Sequence, residues 1–309
     1  MAGGGVMLRK LLAQYVALRK ATGFTFRDSE ILLRSFVAFA IAQGDRRIRG
    51  ATAVKWAAKT KTQAQRYTRL RAVSRFAAYL RAEDPRHEMP PQDVFVAKAA
   101  RPTPRIFTET EVAHIVACAA ELGAPGSFQG KTYSTLYGLL AATGLRLSEA
   151  TGLRLADVTD EGLIIRQTKF RKSRFVPLHP TTRAALAAYL EARRRVATDS
   201  DSFFVSRLRQ RISRHQVLMT FRSVAQRAGI LKDPSGKRPR VHDLRHTFAV
   251  RALERSPVGR DRVERHIVAL TTYLGHARIE STYWYLESTP RLLKDIAAAC
   301  DGVLAGGAR

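Results

Sequence analysis

A spaced set of side chains along this chain could together break and remake a phosphodiester. In order they are Arg146 in TGLRLSEA, Lys169 in RQTKFRKSRFVPL, His242 and Arg245 in HDLRH, His276 in YLGH and Tyr285 in STYWYL. Such chemistry needs cationic donors for the two non-bridging oxygens. It also needs a nucleophile that loses a proton, a leaving oxygen that gains one, and in-line attack. Arginine suits the first task, because its planar fork gives two parallel charge-assisted hydrogen bonds and stays protonated. A phenol ordinarily titrates near about 10, so at neutral pH it needs local cations and a base to attack. Glu149, three residues after Arg146, shares its helix face and could hold a neighbouring imidazole or guanidinium in orientation. A plain helix-stabilising ion pair is the competing reading.

His242 and Arg245 sit three apart on one face, with Asp243 placed to cap their helix. His246 is four residues from His242, which raises a metal pair. A zinc site would need further ligands, however, and neither a Glu between the histidines nor a nearby cysteine is present. No metal and no other cofactor is therefore expected.

These groups need elements to position them. At 309 residues with 45% hydrophobic side chains, the chain suits two domains, each with its own core. Lys and Arg total 53 against 26 for Asp and Glu, a net charge of +27, and the pI is near 11.1. That imbalance points to a polyanionic partner whose counterions such a surface would release. Two cysteines, Cys118 and Cys300, make neither a disulfide framework nor a zinc spacing, which fits a reducing cytosol. The N-terminal run is broken by Arg9, Lys10 and Gln14 and is too short for a signal peptide or membrane span. A cytoplasmic, DNA-associated protein with no membrane partner is the expectation.

Residues 6 to about 84 carry helical periodicity alone. Leu8, Leu11, Leu12, Tyr15 and Leu18 form one stripe, ending at Gly23. Ile31, Leu32, Phe36, Phe39 and Ala40 form a second, capped by Asp28 or Ser29 and ending at Gly44. A short helix is expected over 51–58. A fourth starts near Gln63, with Tyr67, Leu70, Val73, Phe76, Ala77 and Leu80 inward and Arg66, Arg69, Arg71 and Arg75 outward. That arginine face is either solvated or a nucleic-acid contact. Between Glu83 and Thr108 five prolines and no sustained period read as a linker. The expected organisation is a helical domain over 1–84, a linker over 85–106 and a second domain over 107–309. Thr108 with Glu111 three residues on is a capping-box start to that second domain. GLIIRQT and SRFVPL flank a basic turn and predict a β-hairpin, with helices over about 181–196, 213–228, 243–254, 261–273 and 291–299. The fold class is mainly α with a small antiparallel sheet.

TGLR-x-SEA, a hairpin lysine, HDLRHTFA, LGH and a tyrosine nine residues past that histidine together resemble the tyrosine recombinase (phage integrase) family. The resemblance covers about 107–297, and STYWYL followed by TP is similar to members carried by transposons and other mobile elements. It implies an all-helical core-binding domain and an α+β catalytic domain on two faces of double-stranded DNA. It further implies a homotetramer on two DNA sites, with room for an accessory DNA-bending or directionality protein.

By matching position, the resemblance has Arg146 and Arg245 bind the scissile phosphate. His242 and His276 add donors, and His242 can also take the phenolic proton. Lys169 protonates the departing 5′ oxygen, and Tyr285 attacks to give a 3′-phosphotyrosyl link. Exchange of one phosphate ester for another conserves bond energy, so neither ATP nor a metal is required. Arg171 and Lys172 compete with Lys169, and Tyr283 competes with Tyr285, which the nine-residue interval from His276 favours. Tyr273 reads as core and His266 as solvent-facing. His246 reads equally as support from behind the site or as packing. Arg245 and His276 are 31 residues apart, longer than compact members suggest, and the extra length falls near ERSPVGRDRVER. The segment after Tyr285 has an apolar stripe, Leu292, Leu293, Ile296 and Ala297, that would pack on its own domain or dock on a neighbouring protomer. With a first helix at about residue 6, no arm-site-binding domain is expected ahead of it. The rival functions are a type IB topoisomerase-like enzyme, a non-enzymatic DNA-binding regulator with an inactive site, and a metal-dependent transposase.

Overall fold

The computed structural model describes residues 3–23, 26–95, 104–166, 173–233, 236–255 and 260–275, together with Thr282 and Tyr285. The chain divides into two compact units, 1–102 and 103–309. The stretch expected as linker, 85–106, contains the division between them. His87 is buried and its Nδ1 accepts the Ile48 amide at 3.0 Å, while Glu88 accepts the Gly50 amide at 2.8 Å. Phe95 joins the core of the first unit. The first part of the proline-rich run is thus strapped to the helical unit by side chains that satisfy its backbone.

That unit is built from α1 (Gly3–Ala21), α2 (Arg27–Ala42), α3 (Gly50–Ala58) and α4 (Gln63–Arg81). Leu8, Leu12, Tyr15 and Val16 of α1 meet Leu33, Phe36, Val37 and Ala40 of α2. Two stripe assignments from the sequence are corrected here, because Leu18 and Ile31 face solvent. In each case an apolar residue two positions away, and so on nearly the opposite side of the helix, Val16 or Leu33, is the buried one. α4 follows its expected face, with Leu70, Val73, Phe76, Ala77 and Leu80 buried, and starts at Thr62, whose side chain accepts the Gln65 amide. Its arginines divide. Arg69 stacks over Trp56 at 4.7 Å and Arg66 bonds the Thr60 carbonyl, whereas Arg71 and Arg75 are exposed.

The second unit comprises α5 (Glu109–Ala120), α6 (Phe128–Thr143), α7 (Leu147–Ala150), β1 (Gly162–Ile165), β2 (Arg174–Pro177), α8 (Pro180–Arg194), α9 (Arg214–Arg227), α10 (Val241–Glu254) and α11 (Arg260–Leu274). Thr108 and Glu111 form the reciprocal capping box read from the sequence. β1 and β2 pair antiparallel, with Gly162 opposite Pro177 and Ile165 opposite Arg174. The buried helix α6 runs through the core, and its Tyr137 hydroxyl donates to the Val217 carbonyl on α9 at 3.1 Å. Burial pushes the Tyr137 phenol far up, so it stays a neutral structural donor. The stretch expected to hold a helix over 291–299 lies outside the described residues, as does Cys300.

Among the described residues, no helix is long and apolar enough to cross a membrane.

Candidate active site

Arg146 stands at the start of the one-turn helix α7, just after α6 has ended at Gly144. Gly144 adopts φ +60°, which leaves its carbonyl free to face α10. That carbonyl accepts Arg245 Nη1 at 2.6 Å. Arg245 also donates Nη2 to the Leu274 carbonyl at 2.8 Å, so one buried side chain joins the end of α6 to the end of α11. It is 3% exposed. Burial pulls its pKa down to about 10, and Arg146 adds to that, yet the group remains charged at neutral pH.

Glu149 is the electrostatic centre of the arrangement. One carboxylate oxygen accepts Arg146 Nη1 at 2.8 Å and the other accepts the Arg146 amide at 2.9 Å. Arg174, the first residue of β2, then donates Nη1 and Nη2 to the same two oxygens at 3.0 and 2.8 Å. The carboxylate is 7% exposed. Burial alone would push it up, but the bonds and charge of Arg174, joined by those of Arg146, outweigh this and hold it at about 2.

His242 and Arg245 lie on α10, which begins two residues earlier than the sequence indicated. Asp243 is accordingly not the N-cap. It lies inside the first turn and bonds back to the Arg240 amide at 2.8 Å and to the Arg240 guanidinium. The reason is geometric, since Arg240 is the residue with extended backbone. His242 is exposed as a residue, although enough protein surrounds it for desolvation to act on the imidazole. Desolvation, followed by the charge of Arg245, depresses it to about 4, with Asp243 opposing, so it is neutral at pH 7.

Tyr285 is 3% exposed and packs among Ala249, Val250 and Leu253 of α10 and Ile267, Leu270 and Leu274 of α11. Its hydroxyl meets Nδ1 of His246 at 3.0 Å, and the His246 ring is edge-on to His242 at 4.5 Å. This contact is compatible with His246 supporting the site from behind, and its burial with the packing reading. His266 is tied in as well, its Nε2 lying 2.8 Å from the Ala252 carbonyl. Tyr273 stacks on Phe248, and burial raises its phenol to about 12. Arg146, Glu149, His242, Arg245 and Tyr285 thus share one neighbourhood. Lys169 and His276, with the alternatives Arg171, Lys172 and Tyr283, lie outside the described residues. Arg174 was missed in the sequence. Its signal was an arginine opening a strand, which reads as an ordinary edge residue until Glu149 is placed beside it. Among the described residues, no group of three or more His, Cys, Asp or Glu is set to hold a metal ion.

Residues 105–291, more than half the chain, match the model of the phage integrase family. This chain belongs to the phage integrase family. Within that family it is similar to two Sinorhizobium fredii proteins named as integrase/recombinases. The first, y4rB, is 35% identical over 93% of this chain and 95% of the relative. The second, y4rE, is 36% identical over 97% of each. It is also 32% identical to the tyrosine recombinase XerD of Caulobacter vibrioides, over 69% of this chain and 67% of that one. The fold matches the Tn1549 transposon integrase solved with transposon right-end DNA, at a TM-score of 0.64 and 16% identity, over 94% of this chain and 99% of that one. It also matches a lambda integrase tetramer solved on a Holliday junction, at a TM-score of 0.63 and 16% identity, over 90% and 76%. As a phage integrase family member, the chain is a recombinase enzyme with a mainly helical fold and a small two-stranded antiparallel sheet among the described residues.

Proposed function

We propose that this recombinase cuts and rejoins double-stranded DNA at specific sites through a 3′-phosphotyrosyl intermediate formed on Tyr285. The observation that carries the reading is the placement of the Tyr285 hydroxyl on His246, on the helix that also presents His242 and Arg245. Arg146 and Arg245 bind the non-bridging oxygens of the scissile phosphate, with His242 as a further donor. Tyr285 attacks phosphorus, the P–O5′ bond breaks, and the departing 5′ oxygen takes a proton from the basic hairpin turn, where Lys169 is the favoured donor. The phenolic proton passes to an adjacent imidazole, His246 or His242. A 5′ hydroxyl from another strand then attacks the phosphotyrosine and restores the phenol. One ester replaces another at each step, so the sequence needs neither ATP nor a metal ion. The net charge of +27 supports the polyanionic partner. Tetrameric assembly on two DNA sites is proposed from the relative solved as a tetramer on a Holliday junction. Accessory proteins would bear on the direction of exchange. The roles of His276 and of the segment after Tyr285 stay as the sequence resemblance implies.

The deciding experiment is a nicked suicide duplex carrying the terminal sequence of the protein's own element. Wild type traps a denaturant-resistant covalent adduct, in EDTA as well as in magnesium, and Tyr285→Phe traps none. An undiminished adduct in the Phe variant overturns the nucleophile assignment. Joining between two duplexes separates strand exchange from simple relaxation of supercoils.

A further inference from the structure

Three consecutive carbonyls at the end of α11 are each taken by a different guanidinium. Arg174 Nε bonds the Tyr273 oxygen at 2.8 Å, Arg245 Nη2 the Leu274 oxygen at 2.8 Å, and Arg146 Nη2 the Gly275 oxygen at 2.6 Å. These belong to the carbonyls that a helix leaves unpartnered, at the negative end of its dipole. Three cations so close repel one another, and the helix end together with the Glu149 carboxylate supplies the compensating charge.

The three arginines are not used alike. Arg174 spends Nε, Nη1 and Nη2 on protein oxygens and its side chain is 12% exposed. Arg146 keeps 32% of its side chain open to solvent. Arg174 also takes both oxygens of the carboxylate that orients Arg146. Gly275 reports the tightness of this junction: with φ +66°, an added Cβ would stand 2.8 Å from Arg174 Nη1 and 3.2 Å from Arg146 Nη1.

We propose that Arg174 is a positioning residue of the phosphate clamp, locking Glu149 and the end of α11 so that Arg146 and Arg245 keep their orientation without Arg174 touching DNA. The inference rests on the reading of Arg146 and Arg245 as phosphate ligands. Lysine cannot replace the fork, since a point charge cannot bond two carboxylate oxygens and a carbonyl in one plane. A clamp displaced by an ångström loses about a hundredfold in rate while binding, shared among many other cations, barely changes.

The test uses the full chain on the nicked duplex under single turnover, with DNA affinity and thermal midpoint measured alongside. Arg174→Lys and Arg174→Ala are each expected to cleave about a hundredfold more slowly at saturating protein, with Kd within about threefold of wild type. Arg174→Ala should also lose rate more steeply than wild type on acidification, because burial of Glu149 is then opposed chiefly by Arg146, with only the charge of Arg245 beside it. Adding Glu149→Gln should remove that extra acid sensitivity. Should Arg174→Ala fail to fold, Arg174→Lys decides by the same criteria. Cleavage within about threefold of wild type by a folded variant overturns the proposal, as does a rate loss matched by lost affinity. Tyr285→Phe runs in parallel. An adduct there defeats the underlying chemistry, whereas its absence beside fully active Arg174 variants defeats the positioning role alone.

Discussion

The Tyr285 hydroxyl lies 3.0 Å from Nδ1 of His246, inside the packing between α10 and α11. A phenol so placed has a hydrogen-bond partner able to hold its orientation and to accept its proton as it attacks. His246→Ala should therefore slow adduct formation by about a hundredfold without weakening DNA binding. His246→Asn, whose amide sits where Nδ1 was, should recover part of that loss by orientation alone. Gel quantitation of covalent adduct against time checks both, and an Ala variant as fast as wild type would remove His246 from the mechanism.

Gly275 should tolerate no side chain. Its left-handed backbone costs an L-residue about 1–2 kcal/mol, and the added Cβ would crowd Arg174 and Arg146 as well. Gly275→Ala should lower the thermal midpoint by a few degrees and reduce cleavage far more than a matched strain elsewhere. An Ala variant with wild-type rate would show that the end of α11 does not set the clamp.

Stability should depend on pH through His242. Its folded pKa of about 4 lies below the ordinary value of 6.5, so the unfolded chain takes up this proton first as pH falls. Stability present above about pH 6.5 is then lost progressively as pH falls through about 4. His87, also depressed by burial, acts in the same direction. Urea midpoints between pH 7 and 4 should fall less steeply in His242→Asn than in wild type, and an unchanged slope would contradict this assignment.

The start of α5 offers a control away from the chemistry. Thr108→Ala removes an acceptor for the Glu111 amide and should cost about 1 kcal/mol of stability. Cleavage at a temperature where the variant is folded should equal wild type. A large rate loss there would mean that this cap acts on the site.

Much of the architecture was legible because it rests on local rules. The stripe Leu70, Val73, Phe76, Ala77 and Leu80 of α4 has one inward face at 3.6 residues per turn, and Thr108 with Glu111 forms the capping box of α5 within one turn. The hairpin followed from two short β-rich runs about a basic turn. Local rules also failed where they leave a choice. Asp28 or Ser29 was expected to cap α2, whereas Phe26 holds that place, and the structure has Arg240 rather than Asp243 at the N-cap of α10. Apolar residues two positions apart on α1 and α2, Val16 and Leu18 or Ile31 and Leu33, compete for the core until their neighbours are in place.

The sequence by itself determined which residue types were present and in what order: two arginines, paired histidines, a carboxylate three residues from the first arginine, and a tyrosine. Tertiary structure decided which of them touch. Arg174 reaches Glu149 across 25 residues, and Arg245 reaches the Gly144 carbonyl across 101. His246, rather than His242, is hydrogen-bonded to the phenol. Helical periodicity is a short-range property of the backbone and can be read along the chain. The pairing of a buried guanidinium with a distant carbonyl is set by the way helices close around a core, and a buried charge persists only where that closure supplies its partners.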